Sequence, residues 1–432
     1  MKSFLKFAFI TLSVAMSQIS GGYAQQSLPV IHAGSKSVSI QDGRDLSKYT
    51  WNLDPQLKPD TYYVQVPKGN RKISFITDKD SISFVTEYGK LYDFIIVLNK
   101  KDSCLTRISA NYNELIVPQR LSKRSVSITD TIPFFMKDSR IYFQGKLNGK
   151  ADLDIMFDLG AGMTCLNVNS VANSGVSFDG EISIKNTDGT NTEASSSRNR
   201  LEIGGLKWDS VPLVQVRNLD SDDDMIIGNS LFRDKIIEID YERKVMIMSD
   251  RLNKDLVGYS AHHVSYYQDR PRFEMEVKVG GQYYPFHFLF DTGRDGTMLI
   301  GEDFTDKHNL WAKYQSLFSL GRKKIVVIPE IKIGNKVFRE IVTNANDPAH
   351  PNGKQSLIGN EILSQFNVVL DNQKGRIYLK PNSLQNENYA TYSQFKIQVA
   401  LVMLAVVCVL LFIVLFIRKR KSKITDRTGA IG

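Results

Sequence analysis

Alternating apolar and polar positions dominate the first quarter of the chain. Ser37-Val38-Ser39-Ile40, Lys72-Ile73-Ser74-Phe75-Ile76 and Ser81-Ile82-Ser83-Phe84-Val85 alternate with a period of two. Tyr62-Tyr63-Val64-Gln65-Val66 and Tyr92-Asp93-Phe94-Ile95-Ile96-Val97-Leu98 are apolar runs closed by turn residues. Such a period marks strands with one buried face, and about five to seven of them over residues 25–125 predict a small β-sandwich. Trp51, Tyr62, Tyr63, Tyr92 and Phe94 read as its core rather than as a carbohydrate-binding platform, because aromatic side chains mostly bury. A connector with a basic patch at Arg120, Lys123 and Arg124 follows, and a solvated face is its ordinary meaning.

Beyond it the pattern occurs twice. Alternating segments at 140–149 and 272–281 each precede an apolar strand that ends in a carboxylate: Ile155-Met156-Phe157-Asp158-Leu159-Gly160 and Phe288-Leu289-Phe290-Asp291-Thr292-Gly293. Glu202-Ile203-Gly204-Gly205 answers to Lys332-Ile333-Gly334-Asn335, and Met225-Ile226-Ile227-Gly228 to Ser356-Leu357-Ile358-Gly359. Asp240 answers to Asp371. Landmarks at nearly one spacing predict two copies of one β-rich unit, over 126–250 and 251–383. The expected class is all-β: a small β-sandwich, two tandem β lobes and one terminal helix.

The two ends carry different signals. Residues 1–24 read as a signal peptide, with Lys2 and Lys6 about an apolar segment and small residues at Gly22-Tyr23-Ala24. Residues 384–398 read as a polar tether. Val399 to Ile417 holds no charge over 19 residues, the length of a bilayer core. The basic tail 418–432 then places the cytoplasm on its own side by the positive-inside rule, and the N-terminal body outside.

The net charge of +9 over 432 residues belongs largely to those ends. Between leader and tail there remain 47 basic and 45 acidic residues, a balance that implies no nucleic-acid partner. Cys104 and Cys165 read as two buried thiols, with their pairing left open; two cysteines do not make a disulfide framework. His262 and His263 are adjacent and point to opposite strand faces. His287 shares a strand face with Asp291 and reads as a packed histidine. No metal and no cofactor is expected.

A carboxylate buried at a strand end is costly unless another group shares its charge. Two of them at one turn would hold a single proton between them, leaving one acid and one base for attack of water on a carbonyl. The paired Asp-x-Gly motifs, each followed by an apolar-apolar-Gly, resemble those of the aspartic peptidases. The retropepsin-like branch fits best, as a fused tandem pair over roughly 126–383. The resemblance implies a pseudo-dimer of two lobes with Asp158 and Asp291 as the catalytic dyad. Gly160, Thr292 and Gly293 would shape its loops, and a polypeptide substrate would lie between the lobes. It implies a flap over that substrate, here Ile182 to Thr190 with Asp188-Gly189 at its tip, and more weakly Leu320-Gly321-Arg322. It also points to a bacterial, single-pass protein facing the periplasm from the inner membrane. Leu159 departs from the family, which has a hydroxyl after each Asp. Restoring one with Leu159→Thr is expected to add a cross-lobe hydrogen bond. Arg294 also departs, as a cation near the pair. A catalytically disabled peptidase fold that binds or scaffolds peptides is the alternative.

Overall fold

The structure, a computed structural model, describes residues 27–43, 45–64, 70–87, 89–110, 119–120, 129–150, 152–186, 189–350, 353–386 and 389–428. The expected leader and most of the connector lie outside them. The period-two segments near the N-terminus form two four-stranded sheets. One orders Val30–Ala33, Leu91–Leu98, Asp102–Ser109 and Asp60–Tyr63; the other orders Asp45–Asn52, Ser37–Asp42, Asn70–Ile76 and Ser81–Glu87. Their inward residues, among them Val38, Ile40, Phe75, Phe94 and Ile96, make one core. Tyr62 lies within it and Trp51 and Tyr92 pack against it. Trp51, Tyr62 and Phe75 meet edge to face at 5.8 Å, the geometry that aromatic quadrupoles favour. The Tyr63 side chain is outside the described set.

The remaining strands repeat one set of pairings. Asp152–Phe157 runs antiparallel to Arg140–Leu147 and parallel to Met225–Ile227. Gln282–Phe290 runs antiparallel to Arg270–Val279 and parallel to Leu357–Ile358. Cys165–Asn167 and Met298–Ile300 each cross their apolar-Gly strand antiparallel and a further strand parallel. Strands covered on both faces read as unbroken apolar runs, which is why Phe288, Leu289 and Phe290 are all buried. The copies differ where Lys323–Ile333 is long enough to pair with both Gln315–Leu320 and Arg270–Val279. In the first copy Gly189–Ser196 and Leu201–Ile203 divide that work.

Residues 250–259 connect the copies, and one strand pairing joins them. Ile236–Asp240 of the first copy pairs with Phe366–Asp371 of the second; Val245–Ser249 and Thr129–Pro133 extend the sheet on the first side, and Arg376–Pro381 and Ser260–Tyr267 extend it on the second. Strands from both sides of the expected boundary at 250/251 thus share one sheet of 13 strands. At this joint the Asn229 and Asn372 side-chain amides donate to each other at 3.0 Å. The Asn372 amide also donates to the Phe232 carbonyl at 2.8 Å and accepts from the Tyr266 hydroxyl at 2.7 Å.

The expected tether is ordered at its described residues. Thr391 bridges to Ile341, Val342 N–H donates to the Ala390 carbonyl, and the Tyr389 hydroxyl bonds both backbone groups of Arg339. The terminal helix begins at Tyr392, seven residues before the apolar run. Its start is a capping box: the Thr391 hydroxyl accepts from Gln394 N–H, and the Gln394 side chain accepts from Thr391 N–H. Tyr392–Ile413, which holds an 18-residue window of mean hydropathy 2.7, is long and apolar enough to cross a membrane.

Asn372→Ala should lower stability by about 3 kcal/mol, because it leaves buried donors and acceptors unmatched at the joint. Chemical denaturation reads this directly, and a midpoint equal to that of the unaltered protein would refute the role assigned to the amide pair.

Candidate active site

Each carboxylate sits where an apolar strand ends and its parallel neighbour holds the backbone. Asp158 N–H donates to the Ile227 carbonyl at 2.9 Å, and Asp291 N–H to the Ile358 carbonyl at 3.1 Å. The neighbours end in Gly228 and Gly359 because a Cβ there would lie 2.3 Å from the carbonyl oxygens of Ala161 and Gly296. The apolar-apolar-Gly signature is thus a packing requirement of the Asp loop.

The two Asp loops interlock. A Cβ at Gly160 would lie 2.6 Å from Cγ of Asp291, and one at Gly293 would lie 2.3 Å from Cγ of Asp158. Each glycine makes room for the carboxyl group of the other copy. Asp158 Oδ1 accepts from Gly160 N–H at 2.6 Å and from Gly293 N–H at 3.2 Å, one donor from each side. The carboxyl groups are hydrogen-bonded to each other, and both are half-buried.

Burial is the first cause of their titration. It raises Asp158 above the ordinary carboxylate value, against the Asp291 hydrogen bond, the two glycine N–H groups and the charge of Arg270. Asp291 is raised well above it, by burial and then by the charge and hydrogen bond of Asp158, with Arg294 opposing. The pair therefore holds a proton at pH values where an isolated carboxyl has lost it.

Thr292 spans the junction. Its hydroxyl donates to the Phe157 carbonyl at 2.8 Å and accepts from Leu159 N–H at 2.9 Å. Leu159 returns no such bond; its side chain is fully buried in the core instead. That burial reverses the expectation for Leu159→Thr. A buried leucine contributes roughly 1.5–3 kcal/mol, more than the roughly 1 kcal/mol of one hydroxyl bond.

The other expected residues are less central. Gly180–Asn186 and Gly189–Ser196 form an antiparallel hairpin in which Gly189 pairs with Asn186. Asp188 lies outside the described residues. Gln315–Leu320 and Lys323–Ile333 form the second hairpin, with Leu320 exposed and Gly321 at φ 58° in its turn. Cys104 is buried, whereas Cys165 is half-buried; both thiols are free. Burial and the nearby Asp158 push the Cys165 thiol up to about 12, which leaves no thiolate nucleophile there. His262 Nε2 lies 3.1 Å from the Ser260 hydroxyl, and His287 is half-buried opposite Glu274. Arg270, which faces both carboxylates electrostatically, escaped the sequence reading. Its signal was its place in Asp269-Arg270-Pro271, 130 positions after Arg140 in the matching turn.

Comparison with known proteins bears on the first copy. No curated protein matches the sequence. The crystal structure of aspartic proteinase from Irpex lacteus matches 61% of this chain and 100% of its own, at 11% identity and a TM-score of 0.44. The family model described as aspartyl protease matches residues 143–231, a stretch that holds Asp158, Gly160 and Met225-Ile226-Ile227-Gly228 and leaves Asp291 outside. Over that stretch the chain is similar to the aspartyl proteases.

Proposed function

We propose that this protein is an aspartic endopeptidase in which two tandem retropepsin-like lobes form a pseudo-dimer around Asp158 and Asp291. The observation that carries the reading is the reciprocal fit of each carboxyl group against the glycine of the opposite loop. A pair raised by burial shares one proton at mildly acidic pH. Its ionised member takes a proton from water as the oxygen attacks the scissile carbonyl, and its neutral member donates to the carbonyl oxygen. The two titrate together, so neither role belongs to one residue. Gly160 and Gly293 hold the loops open for this contact, and Thr292 braces them. An extended polypeptide would lie between the Gly180–Ser196 hairpin and the pair, adding main-chain hydrogen bonds in strand fashion. The terminal helix would anchor the protein as a single span. The basic tail would then lie in the cytoplasm and the catalytic body outside it, on the periplasmic side of a bacterial inner membrane.

A second reading, a disabled peptidase fold that binds peptides, is favoured by Leu159. Of the two residues that follow the Asp pair, Thr292 bonds across the junction through its side chain and Leu159 does not, and that separates the two readings experimentally. Thr292→Val should cost about 2 kcal/mol, since it strands Leu159 N–H and the Phe157 carbonyl, and should depress cleavage. Leu159→Thr should lower the melting temperature slightly and leave cleavage in place. A protein that gains activity only with Leu159→Thr would favour the disabled fold.

The direct test is cleavage of a denatured protein mixture by the detergent-solubilised protein from about pH 4 to 8. Asp158→Asn and Asp291→Asn should each abolish it, and equal cleavage by either variant would reveal a contaminant. Activity should fall as pH rises through the raised pKa of the pair, because the shared proton is then lost.

The same shift acts on stability. The unfolded chain ionises these groups near the ordinary 3.8, while the folded chain keeps its protons to higher pH. Their contribution to stability is therefore full below that value and is lost as pH rises through the folded pKa. Asp291→Asn should accordingly raise the melting temperature more at pH 8 than at pH 4; a gain independent of pH would contradict the raised titration.

A further inference from the structure

The turns that precede the two Asp strands occupy matching places in the repeat, yet they are chemically unlike. In the first, Ser139 Oγ donates to Asp295 at 2.8 Å, and Asn360 donates to the Ser139 carbonyl. The adjoining cation is neutralised: Arg140 lies 3.2 Å from Asp223, 3.5 Å from Asp220 and 3.7 Å from Asp138.

In the second turn Asp269 is held by Arg233, and its carbonyl accepts from Asn229 at 3.0 Å. Gln268 packs over Gly162, the residue that stands where the second copy has Asp295. With glycine in that place, the second turn packs directly on the loop that follows Asp158. Arg270 donates to the Tyr267 carbonyl and the Gln268 side chain, both at 3.2 Å, and stacks 4.9 Å from the centre of the Tyr267 ring. Among the described residues no carboxylate lies within ion-pairing distance of it. A half-buried guanidinium held by neutral groups requires charge compensation from nearby. Burial acts most strongly on Arg270 and lowers its titration; Tyr267 opposes this, Arg272 adds to it, and Asp158 and Asp291 are the carboxylates that favour its charge.

The ring beneath Arg270 belongs to another core. Tyr267 is buried with the N-terminal sheets, 6.1 Å from the ring of Tyr62. The N-terminal domain therefore grips the turn that carries Arg270 towards the pair. We propose that this domain serves the aspartate pair through that turn, with Arg270, fixed on Tyr267, as a positioning residue that supplies the cation facing the shared negative charge. The inference rests on Asp158 and Asp291 being the active site, and it assigns the N-terminal domain a place in assembling that site rather than a separate binding role.

The other groups that face the pair are few. Arg294 lies on the loop of Asp291, the Cys165 thiol faces Asp158, and the N–H groups of Gly160 and Gly293 donate to it. Arg272 opposes Arg270 from the same strand, and Tyr267 supports it. Removing Arg270 consequently weakens the field on the pair without abolishing it.

Arg270→Met and Arg270→Lys in the full chain test this, with two readouts. The first is the pH profile of kcat/KM. Its acidic limb should move to higher pH in Arg270→Met, return towards that of the unaltered protein in Arg270→Lys, and move the same way in Tyr267→Leu. The second needs no activity: the gain in melting temperature that Asp291→Asn brings at pH 8 should be larger in the Arg270→Met background. As pH falls and the pair takes up protons, the two backgrounds should converge. An equal gain in both backgrounds at pH 8, or an acidic limb unmoved by Arg270→Met, overturns the inference. A limb moved by Arg270→Met and unmoved by Tyr267→Leu overturns the part played by the N-terminal domain. If the unaltered protein cleaves nothing while the coupling in melting temperature persists, the peptidase reading fails and the placement of Arg270 stands.

Discussion

The rest of the molecule is arranged about one steric exchange: each Asp loop is completed by the empty side of a glycine in the other. Cγ of Asp291 lies where Gly160 would carry a Cβ, and Cγ of Asp158 lies where Gly293 would. Two acidic groups brought together in this way cannot both be charged without a large electrostatic cost. The backbone must therefore hold them there with interactions that do not depend on the acids themselves. Parallel strands supply that restraint through Ile227 and Ile358, and the Thr292 hydroxyl supplies it across the junction.

The same demand explains the shared sheet. Were the two copies connected by a flexible linker, repulsion between the acids would be free to part them. Instead Ile236–Asp240 pairs with Phe366–Asp371, and the Asn229–Asn372 amide pair locks the sheet to the loops that follow Gly228. Backbone ladders and buried amides are insensitive to the protonation of the pair, so they can hold it in every charge state. Leu159 fits this picture. The side that lacks a hydroxyl brace gains apolar contact with the core, so the junction is held by polar bonds from one copy and by packing from the other.

Much of this was readable in the residues, and the reasons differ from place to place. The repeat was visible because its landmarks have steric duties: Gly160, Gly228, Gly293 and Gly359 each stand where a Cβ would collide. Period-two alternation marked the strands of the N-terminal sheets because one face of each is buried. The join between the copies was not visible, since Ile236–Asp240 has the same composition whether its partner is near or far in sequence. The start of the terminal helix at Tyr392 was legible in principle. Thr391 and Gln394 have the spacing of a capping box, but the apolar run seven residues later drew the boundary to itself. Arg270 escaped because nothing local distinguishes it from Arg140; the difference lies in Asp220 and Asp223, some 80 positions along the chain, which pair with Arg140.

The two turns show how matching segments of one chain can differ in their partners. Two identical halves would give each turn the same acid partner, and the site would be symmetric. Arg140 pairs with Asp223, Asp220 and Asp138, whereas Arg270 is bonded to the Tyr267 carbonyl and the Gln268 side chain. A charge so placed needs a rigid mount, because a mobile guanidinium would turn to solvent. Tyr267 provides the mount, and its ring is buried only because the N-terminal sheets cover it. On the proposed reading, Arg270 thus joins two features that look separate in sequence: a cation acting on the carboxylates, and the packing of the N-terminal sheets on the turn that carries it.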